Sequence, residues 1–102
     1  MSLKKRYLRS KPVCKVTFSL PRGAAEGAQC VSLVGDFNDW NPEATPMRKL
    51  KSGEYHATID LAQGRSYQYR YLVDTCRWEN DWSADTYVWS MFGNCENSVV
   101  TT

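Results

Sequence analysis

The chain has 102 residues, 42% of them hydrophobic and 24% charged, a balance suited to one globular domain with one core. Thirteen basic against eleven acidic residues leave a net charge of +2, too even to argue for nucleic acid on electrostatics. No apolar run approaches the ~18 residues of a membrane span, and no apolar h-region follows the basic start, so neither an anchor nor a secretory signal is read.

Residues 1–12 carry Lys4, Lys5, Arg6, Arg9 and Lys11 and end at Pro12, which reads as a basic, mobile lead-in. Met1-Ser2-Leu3 is set aside as foreign to the fold. A single domain is expected over 13–102. Val13 to Leu20 alternates with period two, Cys14, Val16, Phe18 and Leu20 on one face and Lys15, Thr17 and Ser19 on the other. That is a half-buried strand. Pro21-Arg22-Gly23 breaks it, and residues 21–28 form a loop of small residues.

A second strand runs from about Gln29 to Gly35 and enters the turn Asp36-Phe37-Asn38-Asp39-Trp40-Asn41-Pro42. Phe37 continues the alternation of Val31, Leu33 and Gly35 and is expected to point inward. Trp40 lies past the strand among polar neighbours and is expected to face water. A short strand is expected around Met47 to Leu50, with Ser52-Gly53 as a hairpin turn. Glu54 to Leu61 alternates again, with Tyr55, Ala57, Ile59 and Leu61 inward and His56, the sole histidine, on the polar face.

Arg65 to Asp74 gives the clearest strand. Tyr67, Tyr69, Tyr71 and Val73 make a core stripe, and Gln68, Arg70 and Leu72 take the opposite face. Asp74 to Trp78 reads as a hairpin, and Glu79 to Asp85 as a polar surface loop containing Trp82. Thr86 to Phe92 is either a strand or an ordered loop; Gly93-Asn94 turns the chain, and Asn97 to Thr101 is the last strand. No stretch has a helical period. Short alternating strands at roughly ten-residue spacing predict an antiparallel all-β sandwich.

The cysteines Cys14, Cys30, Cys76 and Cys95 form no Cys-x-x-Cys pair, and Cys14 and Cys30 fall on opposite strand faces. Free thiols without an export signal suggest a reducing, cytoplasmic setting. Neither a metal nor a cofactor is expected. Catalysis is not expected either: glycoside hydrolysis needs two carboxylates across a bond, and Asp74, Glu79, Asp81 and Asp85 fall in an apparent surface loop.

Four motifs in order carry a resemblance: Gly35-x-Phe37-Asn38-x-Trp40, then Tyr67-x-Tyr69-Arg70-Tyr71-x-Val73-Asp74, then Trp78, then Phe92-Gly93 followed by Asn97-Ser98-Val99-Val100. The chain resembles carbohydrate-binding module family 48 over roughly residues 13 to 101. This family includes the glycogen-binding domain of the AMP-activated protein kinase β subunit and the early-set domain before the barrel of isoamylases and branching enzymes. The resemblance implies an immunoglobulin-like sandwich of early-set type that binds α-1,4-linked glucans such as glycogen or starch. It implies that Trp40 and Trp78 stack on sugar, that Arg70 and Asn97 hydrogen-bond its hydroxyls, and that Phe92 makes an apolar contact. A catalytic or kinase-regulatory partner domain is implied too.

Two departures touch the loops. Asp81-Trp82 stands where the family often has Asp-Pro, and Asp74-Thr75 where it commonly has Asp-Gly. Trp82 is left as either a third platform or a filler at the sandwich edge. Beside the resemblance, the residues alone also allow Trp40 and Trp78 to cap the sandwich ends, Arg70 to be a solvated strand residue, and Asn97 to be a turn residue. The alternative function is a structural or protein-interaction domain of the same fold.

Overall fold

The computed structural model describes residues 3–90 and 95–102. Among these, nine strands form two antiparallel sheets: β1 (Leu3–Tyr7), β2 (Val13–Leu20), β3 (Val31–Gly35), β4 (Arg48–Lys49), β5 (Tyr55–Ala62), β6 (Ser66–Val73), β7 (Arg77–Glu79), β8 (Thr86–Ser90) and β9 (Cys95–Thr101). One 3-10 turn, Asp36–Asn38, follows β3. The first sheet has the order β1-β2-β5-β4; the second runs β3-β6-β9-β8, with β7 also on β6. This is an immunoglobulin-like β-sandwich. No helix among the described residues is long and apolar enough to cross a membrane.

The period-two patterns place the core. Cys14, Val16, Phe18 and Leu20 are fully buried, as are Tyr69 and Tyr71 from the facing sheet. The rings of Phe18 and Tyr69 meet edge to face at 4.9 Å and 73°, the geometry that aromatic quadrupoles favour. Phe37 points inward as expected, its ring 5.5 Å from that of Phe18. The region around Met47 to Leu50 does form a short strand, and the segment left open after Asp85 is the edge strand β8. All four cysteines are free thiols, Cys14 buried and Cys30 exposed.

Two expectations are corrected. The basic lead-in is not mobile throughout: Leu3–Tyr7 is the edge strand β1, paired with β2 from Leu3↔Phe18 to Tyr7↔Cys14. Leu3, set aside from the sequence, is buried in the core cluster. Lys5 shares its parity but is held off the core by Asp85, at 2.6 Å. The second correction concerns Asp81, placed by sequence in a surface loop but only 1% exposed. Its Oδ2 accepts hydrogen bonds from the hydroxyls of Tyr69 (2.6 Å) and Tyr71 (3.2 Å). Its Oδ1 accepts from the Ser83 N–H, so the carboxylate is satisfied on both oxygens.

Candidate functional site

The outward face of the second sheet carries the site. On β6, the residues opposite to the tyrosine stripe are Gln68, Arg70 and Leu72. β7 brings Trp78 directly across from Leu72. β9 pairs Val99 with Gln68, which puts Asn97 on the same face, and β8 pairs Val88 with Asn97, which does the same for Ser90. Val34, Leu72 and Val99 are buried yet lie outside the central core cluster, so a small apolar floor underlies this face.

The turn after β3 delivers Trp40 to the rim. It starts at Gly35, where a side chain has no room: a Cβ there would lie 2.5 Å from the Gln68 carbonyl oxygen and 2.8 Å from Tyr69 Cβ. Asn38 then organises the loop. Its Oδ1 accepts from the Gly35 N–H, and its Nδ2 donates to the Leu33 carbonyl and to Thr45 Oγ1. Asp39 and Trp40 both adopt left-handed backbone, each at φ 56°. For non-glycine residues such backbone costs on the order of 1–2 kcal/mol each, and strain of this kind concentrates at functional sites. The Trp40 N–H donates to the Gly35 carbonyl at 2.9 Å, and its indole Nε1–H to Asp36 Oδ1 at 2.8 Å.

The result is an open cleft of about 600 Å³ lined by Asp36, Trp40, Gln68, Arg70, Trp78, Ser90 and Asn97. Both tryptophans are accessible there, Trp78 at 41% exposed and Trp40 half-buried rather than fully turned to water. The Arg70 guanidinium carbon sits 5.5 Å from the centroid of the Trp78 ring, a cation–π contact that orients both groups. Arg70 Nε is buried and has no hydrogen-bond partner among the described residues. Asn97 is only 7% exposed, and its Nδ2 donates to Gln68 Oε1 at 3.1 Å. Chemically, the cleft combines two flat, polarisable ring systems with a charged donor and a pair of amides. Such a surface takes a ligand with apolar C–H faces and a hydroxylated rim.

Residues 16–88 match the family model for carbohydrate-binding module 48, the isoamylase N-terminal domain. The chain belongs to this family. The family-48 module is also similar to segments of much longer proteins. It is 48% identical over 42 residues to the 1,4-alpha-glucan-branching enzyme of Felis catus, a match covering 41% of this chain and 6% of that enzyme. It is 47% identical over 47 residues to the 1,4-alpha-glucan branching enzyme GlgB of Deinococcus radiodurans, covering 45% of this chain and 7% of that one. The matched segments thus span less than a tenth of these relatives.

Of the five residues singled out from sequence, Trp40, Arg70, Trp78 and Asn97 line one cleft in the module. Phe92 lies outside the described residues. Trp82 is 61% exposed and does not line the cleft. Among the described residues, three that line the cleft were not anticipated from sequence. Gln68 had a readable signal, since it shares the outward parity of Arg70 two positions away. Asp36 had none, because its link to Trp40 depends on the shape of the 3-10 turn. Ser90 was hidden in the segment left undecided between strand and loop.

Proposed function

We propose that this module binds α-1,4-linked glucan in the cleft, as a non-catalytic unit that accompanies glucan-processing enzymes. One observation carries the reading: Trp40 and Trp78, apart in sequence and on different elements, line the same open cleft with Arg70. Each indole face stacks on the C–H surface of a glucose ring, where no polar partner is needed. Arg70, which lines the cleft, donates charge-assisted hydrogen bonds from its guanidinium to rim hydroxyls. The amides of Asn97 and Gln68 supply further donors and acceptors. The glucan specificity draws support from the branching-enzyme relatives, whose names carry a 1,4-alpha-glucan.

An open, wet site of this type binds at roughly micromolar to millimolar Kd, about −4 to −8 kcal/mol. Titration with maltoheptaose or β-cyclodextrin, followed by tryptophan fluorescence or amide shifts, tests the proposal. The wild type should saturate, and Trp40→Ala or Trp78→Ala should abolish the response while the fold remains intact. A wild type silent at millimolar maltoheptaose would favour an immunoglobulin-like protein-interaction domain instead.

A further inference from the structure

Asp36 was not among the residues singled out by sequence or resemblance, yet it touches two elements of the cleft at once. Its Oδ1 accepts the Trp40 indole N–H at 2.8 Å, and its Oδ2 accepts the Gln68 backbone N–H at 2.8 Å. We propose that Asp36 is a positioning residue: its carboxylate pins the Trp40 ring to strand β6, at a fixed attitude to the cleft that Arg70 and Trp78 share. The inference rests on the glucan-binding reading above and names the device that prepares that site.

The physical case starts from what else holds Trp40. The ring is half-buried, so core packing does not fix its rotamer. Its backbone is left-handed and follows another left-handed residue, Asp39, so the local chain is not held by a regular ladder. A ring so placed samples several rotamers in the absence of a tether, and a stacking ligand must then stop that motion on binding. A hydrogen bond to a carboxylate is stronger than one to a neutral acceptor. Because the second oxygen is bonded to β6, the tether ends on the sheet and not on the turn itself. The other indole is held differently: Trp78 has the Arg70 guanidinium at 5.5 Å from its ring centroid. Each platform therefore has its own holder, and the two holders share the strand that bears Gln68 and Arg70.

The test combines binding with a signal from the indole itself. Asp36→Ala should weaken maltoheptaose binding about tenfold at an unchanged number of sites. Asp36→Asn keeps an oxygen for the indole N–H but lacks the second acceptor for Gln68, so it should fall between wild type and Asp36→Ala. In Trp40→Phe, which retains a stacking face but has no N–H, a further Asp36→Ala change should cost far less than in the wild-type background. Independently of sugar, the Trp40 indole proton should be slow to exchange in the wild type and fast in Asp36→Ala. A wild type that fails to bind glucan but shows the protected proton would overturn the function and leave the tether standing. Equal binding by wild type and Asp36→Ala, or full additivity with Trp40→Phe, would overturn the tether. Were Asp36→Ala to unfold, the Asp36→Asn titration and its indole exchange decide the matter by the same criteria.

Discussion

Thr75 sits in the β6–β7 hairpin at φ 59°, directly after Asp74 at φ 53°. A β-branched residue in left-handed backbone is an uncommon choice, and glycine takes that conformation without steric penalty. Its hydroxyl recovers part of the cost by donating to the Asp74 carbonyl at 2.6 Å. Asp74 has a reason to stay: its Oδ1 accepts the N–H groups of Gln29 and Cys30 at 2.8 and 2.9 Å, tying the hairpin to the entrance of β3. Those bonds, the Cys30 N–H first, hold its carboxyl below the ordinary value. Thr75→Gly should therefore raise stability by about 1 kcal/mol in urea unfolding, the left-handed penalty less the added flexibility of glycine in the unfolded chain. A loss of stability would mean that the hydroxyl bond outweighs the backbone strain.

At the scale of the element, β1 is the informative strand. Its sequence, Leu-Lys-Lys-Arg-Tyr, offers one buried apolar residue and a run of cations. Period two is invisible there because Lys5, at an inward parity, is matched by Asp85 eighty residues away. Leu3 is 8% exposed and packs in the core cluster, so Leu3→Ala should cost about 2–3 kcal/mol by analogy with other buried leucine truncations. β1 belongs to the sheet that does not carry the cleft. Glucan affinity, measured on the folded fraction, should then stay within twofold of wild type; a large drop would show that the first sheet shapes the site. The contrast with β2 and β6 explains what was legible. Val13–Leu20 and Ser66–Val73 state their faces by local alternation, and Arg70 was placed outward from that alone. Asp81 was misplaced at the surface and Asp36 was not placed at all, because their partners are hydroxyls, an indole N–H and backbone N–H groups that only the folded chain brings near. Likewise, no local pattern announces that Ser90 and Trp40 share a cleft.

On the scale of the whole molecule, the sandwich is closed by a polar network set inside an apolar core. Tyr69 and Tyr71 stand edge to face at 5.9 Å on one strand and both donate to Asp81 Oδ2. The loop bearing Asp81 is fixed in turn by its N–H to Ser98 Oγ at 2.8 Å and by Tyr87 Oη, which donates to the Asp81 carbonyl at 2.6 Å. The network thus links β6, β8 and β9 with the loop between β7 and β8. Burial pushes the Tyr69 hydroxyl far above its usual range, with the neighbouring Tyr71 and the Asp81 charge adding to it. Burial, then Asp81, does the same to Tyr71.

The sign of the linkage follows. Below about pH 10 the tyrosines are protonated in both folded and unfolded chains, and the network's contribution is fully present. Above that, the unfolded chain releases protons that the folded chain retains, so stability falls with pH. Each retained proton contributes a loss of about 1.4 kcal/mol per pH unit. Urea unfolding at pH 9, 10 and 11 should show the decline begin near the unfolded tyrosine value. Tyr69→Phe should be less stable at neutral pH by about 1–3 kcal/mol, the cost of a carboxylate that has lost one buried donor. Its decline above pH 10 should also be shallower, by about one proton's worth. Parallel curves for wild type and Tyr69→Phe would show that Tyr69 is free to ionise in the folded state, and the buried network would then not set the alkaline limit of the fold.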